Sequence, residues 1–214
     1  MCLIAFDHRP GSAWPLRLVA NRDEFHARPA APLDYWRDAP DIAGGRDLEA
    51  GGSWLAVHCR GRFAAVTNVR DPEQRVPDGA PSRGGLVHDA LTHPDLPAWL
   101  ARLERGEALR YAGFNLLAGD GERLWHLHRG RQGAVLRSEE TEACRGLGHA
   151  LQQGHWPDDA LAAMADPHPA DDHALPDTGV GLELERTLSS PFIVGEQYGT
   201  RAMTWLSWHA SGSM

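Results

Sequence analysis

Cys2 follows a single methionine at the start of the sequence. We expect the initiator methionine to be removed, because the residue after it is small, so that the mature chain begins with cysteine. Such a residue carries a thiol nucleophile and an α-amine that can take the thiol proton. An α-amine has a pKa of about 7.7–8.0 and a thiol about 8.5, so the transfer is nearly isoenergetic. The alternative is that Cys2 packs as a small hydrophobe at the start of a strand.

A second candidate for chemistry is the polar tetrapeptide Asn21, Arg22, Asp23 and Glu24, which follows an apolar run at residues 16–20. Four polar residues at the end of a strand are costly unless they are exposed or bonded to one another. The residues alone leave two interpretations open. One is a turn at the surface that contains an ion pair. The other is a functional site, in which the charged side chains act on a neighbouring reactive group.

Strands and helices must position these residues. Apolar runs separated by Gly and Pro predict strands, and apolar residues at helical spacing predict helices. The predicted strands cover residues 2–6, 16–20, 54–58, 62–69, 113–118, 124–128, 189–194 and 201–208. The predicted helices begin at Ser82, at residue 96 and at residue 157, and residues 166–181 form an exposed loop. Strands, then helices, then strands indicate an α+β fold with largely antiparallel sheets in a single domain, residues 1–214.

Composition limits the partners. The chain has 214 residues, with 21 basic residues against 29 acidic ones, which argues against nucleic acid as a partner. Every basic residue is arginine, which excludes a catalytic lysine and suggests a bacterial genome rich in GC. No apolar run approaches the roughly 20 residues of a membrane span, so we expect no membrane insertion. The N-terminus does not have the pattern of a signal peptide, and we predict a cytoplasmic protein.

The ordered motifs of the chain resemble a known family. The segments that carry the resemblance are V-A-N-R-D-E-F, G-G-S-W-L-A-V, A-A-V-T-N-V-R, S-R-G-G-L-V, Y-A-G-F-N-L-L-A-G-D and P-F-I-V-G-E-Q-Y-G-T-R. They are similar to the NRDE family, also called transport-and-Golgi-organisation proteins. That group is similar to the N-terminal-nucleophile (Ntn) hydrolases, whose cysteine branch includes penicillin V acylases and bile salt hydrolases. The resemblance implies a four-layer αββα sandwich.

The resemblance also implies roles for residues near Cys2. In the acylases an arginine and an aspartate after the second strand bond to the nucleophile and its amine, and Arg22 and Asp23 stand at that place. The order N-R-D-E differs from the acylase order R-N-x-D, so Asn21 and Glu24 remain candidates for substrate contacts. Arg201 in Y-G-T-R matches a late arginine of the family.

Oxyanion donors are implied further along the chain. Asn68, at the end of A-A-V-T-N, stands where the acylases carry an oxyanion residue; the alternative from the residues alone is a turn-forming asparagine. The family pattern G-L-S-N-A appears here as G-L-G-H-A, so His149 replaces a second oxyanion asparagine. An imidazole N–H can donate, although it titrates differently from an amide.

Asn115 lies in the apolar run G-F-N-L-L, where a buried amide needs partners. It is either a structural residue or part of the pocket. His126 and His128 alternate on a predicted strand and so share a face, as metal-binding pairs often do. No third ligand stands at a suitable spacing, and we expect neither a metal nor a cofactor.

Two functions are compatible with these residues and motifs. The first is an amidohydrolase that cleaves a small-molecule amide at a non-peptide C–N bond through a thioester on Cys2. The second is a carrier or chaperone on the same scaffold, because eukaryotic members of the family are linked to haem trafficking and to lipid or acyl-CoA handling. A carrier of a hydrophobic ligand needs the pocket and not the nucleophile.

Overall fold

Eleven strands and four α-helices make up the described part of the protein, which in this computed structural model comprises residues 2–71, 73–120, 122–139, 144–146 and 158–212. The strands are β1 (Cys2–His8), β2 (Leu16–Phe25), β3 (Ala30–Trp36), β4 (Ala39–Asp47), β5 (Leu55–His58), β6 (Arg62–Asn68), β7 (Phe114–Gly119), β8 (Leu124–Gly130), β9 (Gly133–Glu139), β10 (Cys144–Gly146) and β11 (Tyr198–Trp208). The helices are α1 (Gly84–Thr92), α2 (Leu96–Glu104), α3 (Asp158–Met164) and α4 (Leu182–Ser189).

The chain divides into two compact units. One comprises Met1–Ala27 and Glu142–Met214, and the other comprises Arg28–Thr141. Each unit contains one antiparallel sheet with one or more helices packed on it, which confirms the predicted α+β class with antiparallel sheets. Whether the chain behaves as a single domain stays a prediction.

The first unit is built on a four-stranded sheet with the order β10-β1-β2-β11. Helix α3 covers one face of this sheet, where Ala5 and Val19 pack against Ala160 and Met164. Alternation along β2 therefore places Val19, Asn21 and Asp23 on the face of α3 and Arg22 on the opposite face.

The second unit is built on a seven-stranded sheet whose strands follow chain order from β3 to β9. Helices α1 and α2 pack on one face through apolar residues that are buried, namely Leu86, Val87, Ala90, Leu91, Leu96, Trp99, Leu100 and Leu103. The partners of these residues on the sheet include Ala64, Phe114, Leu116 and Leu127. The helical spacing of the apolar residues thus predicts the buried faces of both helices correctly.

A close backbone contact joins α1 to the loop before β5. A Cβ built on Gly52 would lie 2.3 Å from the carbonyl carbon of Gly84, a distance that no side chain tolerates. Ser53 N–H donates to the Gly84 carbonyl at 3.2 Å across the same contact. Packing therefore explains Gly52 in G-G-S-W and Gly84 in S-R-G-G, whereas Gly51 has open space around it and a positive φ of 77° that favours glycine.

Two local predictions are wrong. The polar tetrapeptide does not follow the second strand but lies inside it, because β2 continues to Phe25. Residues 189–194 do not form a strand, since Ser189 ends α4 and the segment after it has no ladder partner. The pattern L-E-L-E alternates as a strand would, yet it forms the first turns of α4, where buried Glu185 accepts hydrogen bonds from the backbone and hydroxyl of Thr178.

Candidate active site

The start of β1 lies beside the polar tetrapeptide. Cys2 and Arg22 are directly opposed in the antiparallel β1–β2 ladder, and Ala202 of β11 opposes Arg22 on the other side. Opposed residues in such a ladder have Cα atoms about 4.5–5.5 Å apart. Arg22 is 5% exposed, so its side chain is largely desolvated.

Asp23 is buried and hydrogen-bonded to β11. Thr200 Oγ1 donates to Asp23 Oδ1 at 2.6 Å, and the Tyr198 hydroxyl donates to the Asp23 backbone carbonyl at 3.2 Å. Burial raises the pKa of the Asp23 carboxyl, and the hydrogen bond from Thr200 opposes that rise. A buried carboxylate with a raised pKa and a fixed hydrogen-bond donor is typical of a functional position.

Asn21 connects three segments of the first unit. Its side chain is fully buried, and Nδ2 donates to the carbonyls of Met164 at 2.7 Å and Pro191 at 2.8 Å. Both amide hydrogens are therefore used to tie the end of α3 and the segment before β11 to β2. This geometry makes Asn21 an anchor of the fold, and a substrate contact at this residue stays a prediction.

Glu24 and Arg201 lie at the outer end of the same ladder. Glu24 Oε1 accepts the N–H of Phe25 at 2.9 Å, and Arg201 Nη1 donates to the Phe25 carbonyl at 3.1 Å. Arg201 is the extra residue of a β-bulge between Thr200 and Ala202, which changes the direction of its side chain relative to a regular strand. The structure thus brings Glu24 and Arg201 together at the backbone of Phe25.

Two residues of this site were absent from the sequence-based candidates. Tyr198 and Thr200 belong to the motif Y-G-T-R, in which only the arginine was selected. The motif Y-G-T-R was the one sequence signal that could have identified them. Thr200 reaches the carboxylate of Asp23 only because β11 pairs with β2, and the sequence alone does not show that pairing. That pairing joins residues 177 positions apart.

The remaining described candidates belong to the second unit. Asn68 is exposed at the end of β6, opposite Phe114, while Thr67 is opposite Asn115. Alternation therefore places Asn68 and Asn115 on opposite faces of the seven-stranded sheet. His149 lies outside the described residues.

Asn115 is the centre of a polar network. Its Oδ1 lies 2.8 Å from His128 Nδ1 and 3.2 Å from His126 Nε2, and its Nδ2 donates to Thr67 Oγ1 at 3.2 Å. With these orientations each imidazole donates an N–H to the amide oxygen. Burial lowers the pKa of His126, and the neighbouring His128 lowers it further. Among the described residues, no group of three or more His, Cys, Asp or Glu is arranged to hold a metal ion.

A family model described as Transport and Golgi organisation 2 matches residues 1–158. The chain belongs to this family. A "Transport and Golgi organization protein 2 homolog" from Bos taurus is 34% identical, with the match covering 99% of this chain and 90% of the bovine protein. The Mus musculus homologue is 38% identical over 73% of this chain and 59% of its own length. The Homo sapiens homologue is 36% identical over the same shares of the two chains.

The length and the source of these relatives limit what the comparison shows. The chain spans 59% of the mouse and human relatives, so the activity of those proteins is not carried over to it. The bovine, mouse and human relatives are animal proteins and do not support the bacterial source suggested by the arginine-only composition. In the part of the chain that the structure covers, no helix is both long and apolar enough to cross a membrane.

Proposed function

We propose that this member of the Transport and Golgi organisation 2 family is an amidohydrolase of the Ntn type, with Cys2 as the nucleophile after removal of Met1. The observation that carries the proposal is the opposition of Cys2 and Arg22 in the β1–β2 ladder, with Asp23 as the next residue of β2. A substrate with a linear, non-peptide amide fits this chemistry.

The reaction has two halves. In the first, the α-amine of Cys2 takes the thiol proton, and the thiolate attacks the amide carbonyl carbon. The tetrahedral intermediate then collapses: the C–N bond breaks, the leaving amine takes the proton from the α-ammonium, and a thioester remains. In the second half, water gives a proton to the α-amine and attacks the thioester. The C–S bond breaks, the sulfur recovers a proton, and the acid is released.

Arg22 is assigned to the sulfur. A guanidinium beside a thiol favours its ionised form and lowers its pKa. Because Arg22 is 5% exposed, water screens its charge little, and the effect on a neighbouring thiolate is larger than at the surface.

Asp23 is assigned to the α-amine. A carboxylate held by Thr200 offers a fixed acceptor for an amine that must accept and return a proton in each half of the reaction. The cost of keeping this carboxylate buried, seen in its raised pKa, is typical of an active-site acid and not of a surface ion pair.

A role in oxyanion stabilisation stays a prediction for Asn68 and His149, made from the resemblance to the acylases, and so does orientation of the substrate by Arg201. Amide and imidazole N–H groups are suitable donors to the developing negative charge, and one well-placed donor contributes about 2.7–4 kcal/mol. Because an amide always carries its N–H donors while an imidazole titrates near neutral pH, changing His149 to Asn is expected to increase turnover.

The carrier function remains the alternative prediction for the same scaffold. It requires a site for a hydrophobic ligand such as haem or an acyl chain, and it does not require Cys2. One experiment distinguishes the hydrolase from the carrier.

The test compares Cys2→Ser with Cys59→Ser, the latter being a matched change at an exposed cysteine. Substrates are anilides of acetic, octanoic and phenylacetic acids, and intact mass reports both loss of Met1 and an acyl adduct on the chain. We expect Cys2→Ser to lower turnover by about 10²-fold or more while Cys59→Ser has no effect. Retained Met1, or equal turnover in both variants, overturns the proposal. Equal binding of haem or octanoyl-CoA by both, with no hydrolysis by the wild type, favours the carrier.

A further inference from the structure

The hydroxyl of Thr200 is fixed by two hydrogen bonds of opposite direction. Oγ1 accepts the backbone N–H of Ile193 at 2.9 Å and donates to Asp23 Oδ1 at 2.6 Å. A hydroxyl has one hydrogen and two lone pairs, so an N–H donor on one side helps to direct the hydrogen towards the acceptor on the other. The orientation of the donor is therefore built into the backbone around it.

The segment before β11 closes tightly around this hydroxyl. Thr200 N–H donates to the Ile193 carbonyl at 2.8 Å, so residues 193 and 200 exchange backbone and side-chain hydrogen bonds. A Cβ on Gly199 would lie 2.7 Å from the Ile193 carbonyl oxygen, so this close approach requires glycine. Asn21 holds the same segment through the Pro191 carbonyl. The motif that precedes Arg201 thus presents Thr200 to Asp23 in one position.

We propose that Thr200 is the positioning residue of Asp23, and that its directed hydroxyl fixes the carboxylate so that one orientation faces the α-amine of Cys2. This inference rests on the proposed function, in which Asp23 holds that amine. Thr200 itself touches neither substrate nor sulfur in the reaction. Its contribution is to keep Asp23 oriented and ionised although the carboxyl is buried.

A test of this role must take account of the charged groups near Asp23. The positive charge of the amino terminus lowers the pKa of Asp23. Arg22 and Glu24 are its neighbours on β2 but alternate to the opposite face, and Arg201 lies beside Thr200 on β11. Burial raises the pKa of Asp23 and the bond from Thr200 lowers it, so removing the hydroxyl must move the pKa upward. Loss of the methyl group alone, as in Thr200→Ser, should leave the pKa of Asp23 unchanged.

The experiment measures the Asp23 pKa in the full chain without substrate, from ¹³C-labelled aspartate carboxyl signals, with the Asp23 signal assigned by its absence in Asp23→Asn. The variants are Thr200→Val, which removes the hydroxyl at nearly equal volume, and Thr200→Ser, which keeps it. Thr204→Val on the same strand is the matched control, since Thr204 opposes Ala20 and not Asp23. Thr200→Ala replaces the valine variant if the latter does not fold.

We expect a higher Asp23 pKa in Thr200→Val and wild-type values in Thr200→Ser and Thr204→Val. The acid limb of the pH profile of kcat/KM should move to higher pH in Thr200→Val. At the optimum pH, kcat/KM of this variant should be lower on the order of tenfold, which is the effect of losing one charge-assisted hydrogen bond. An unchanged pKa in Thr200→Val, or an equal rise in Thr200→Ser, overturns the inference. If the pKa rises as expected but the wild type hydrolyses no amide, the positioning of Asp23 stands and the proposed reaction fails.

Discussion

Arg22 and Asp23 are neighbours in the chain but lie on opposite faces of the four-stranded sheet. Asp23 is on the face of α3 and bonds to Thr200, whereas Arg22 is on the other face, in the row that contains Ala20 and Leu18. They therefore do not form a local ion pair between successive side chains. The two side chains therefore leave β2 on different sides of the sheet, as the separate roles proposed for the guanidinium and the carboxylate require.

The first prediction concerns the reactivity of Cys2 towards iodoacetamide at pH 7. If Arg22 lowers the thiol pKa, Cys2 should alkylate faster than Cys59, an exposed residue whose thiol pKa is raised by local desolvation and by Asp41. Changing Arg22 to Gln should slow alkylation of Cys2 on the order of tenfold and leave Cys59 unchanged. Peptide mapping by mass spectrometry gives both rates in one sample.

Two variants control this measurement. Arg22→Lys keeps the charge and should retain part of the effect, and Arg37→Gln removes an exposed arginine and should have none. Equal rates for Cys2 in the wild type and in Arg22→Gln would show that Cys2 is merely packed.

The second prediction concerns the stability cost of Asp23. Its folded-state pKa is raised, mainly by burial, so the folded protein favours the protonated acid more than the unfolded chain does. Stability is therefore lost as pH rises from the unfolded pKa through the folded one. Asp23→Asn has no such charge, and its Tm should exceed that of the wild type at neutral pH and converge with it below about pH 3.9.

Thermal unfolding between pH 3 and pH 8 measures this difference. Asp78→Asn is the matched control. Because Asp78 is exposed, the plot of Tm against pH for this variant should run parallel to that of the wild type. A Tm for Asp23→Asn that is lower than the wild-type Tm at pH 7 contradicts the prediction and would mean that the carboxylate stabilises the fold.

The sequence predicts elements well where the pattern is local. The spacing of Leu86, Val87, Ala90 and Leu91 predicts α1, and the apolar runs around C-R-G predict the β5–β6 hairpin. In each case the burial that stabilises the element follows from residues within a few positions of one another. The strands β3 and β4, rich in Pro, Asp and Gly, carry no such pattern and were not predicted.

The candidate site depends on distant contacts, and for that reason the sequence alone does not define it. Polar residues were expected to end the second strand because burying them is costly. That cost is offset by Met164, which lies 143 positions from Asn21, and by Thr200, which lies 177 positions from Asp23. A motif can suggest that such residues matter, but the partner that allows each to be buried is set by the sheet order.

The third prediction tests Asn21 as an anchor. Asn21→Leu keeps a similar shape but leaves the carbonyls of Met164 and Pro191 without this donor. Since each unsatisfied buried group costs about 1–3 kcal/mol and two carbonyls lose this donor, the free energy of unfolding should fall by about 2–6 kcal/mol. Urea unfolding followed by circular dichroism measures it, with exposed Asn68→Leu as the comparison, expected within about 0.5 kcal/mol of the wild type. A similarly small loss for Asn21→Leu would refute the anchoring role.

The last prediction concerns the histidine network around Asn115. Burial lowers the pKa of His126 in the folded state, so the unfolded chain binds a proton first as pH falls. The stabilising contribution of neutral His126 is therefore complete above about pH 6.5 and is lost as pH falls below that value, down through the lowered folded pKa. His126→Gln keeps an N–H donor for Asn115 Oδ1 and removes the titration, so its Tm should fall less between pH 7 and pH 5. His173→Gln, a change at an exposed residue of a short 3-10 helix, should leave the wild-type dependence of Tm on pH unchanged. If Tm falls equally with pH in the wild type and in His126→Gln, protonation of His126 is not coupled to folding and Asn115 tolerates a charged imidazole beside it.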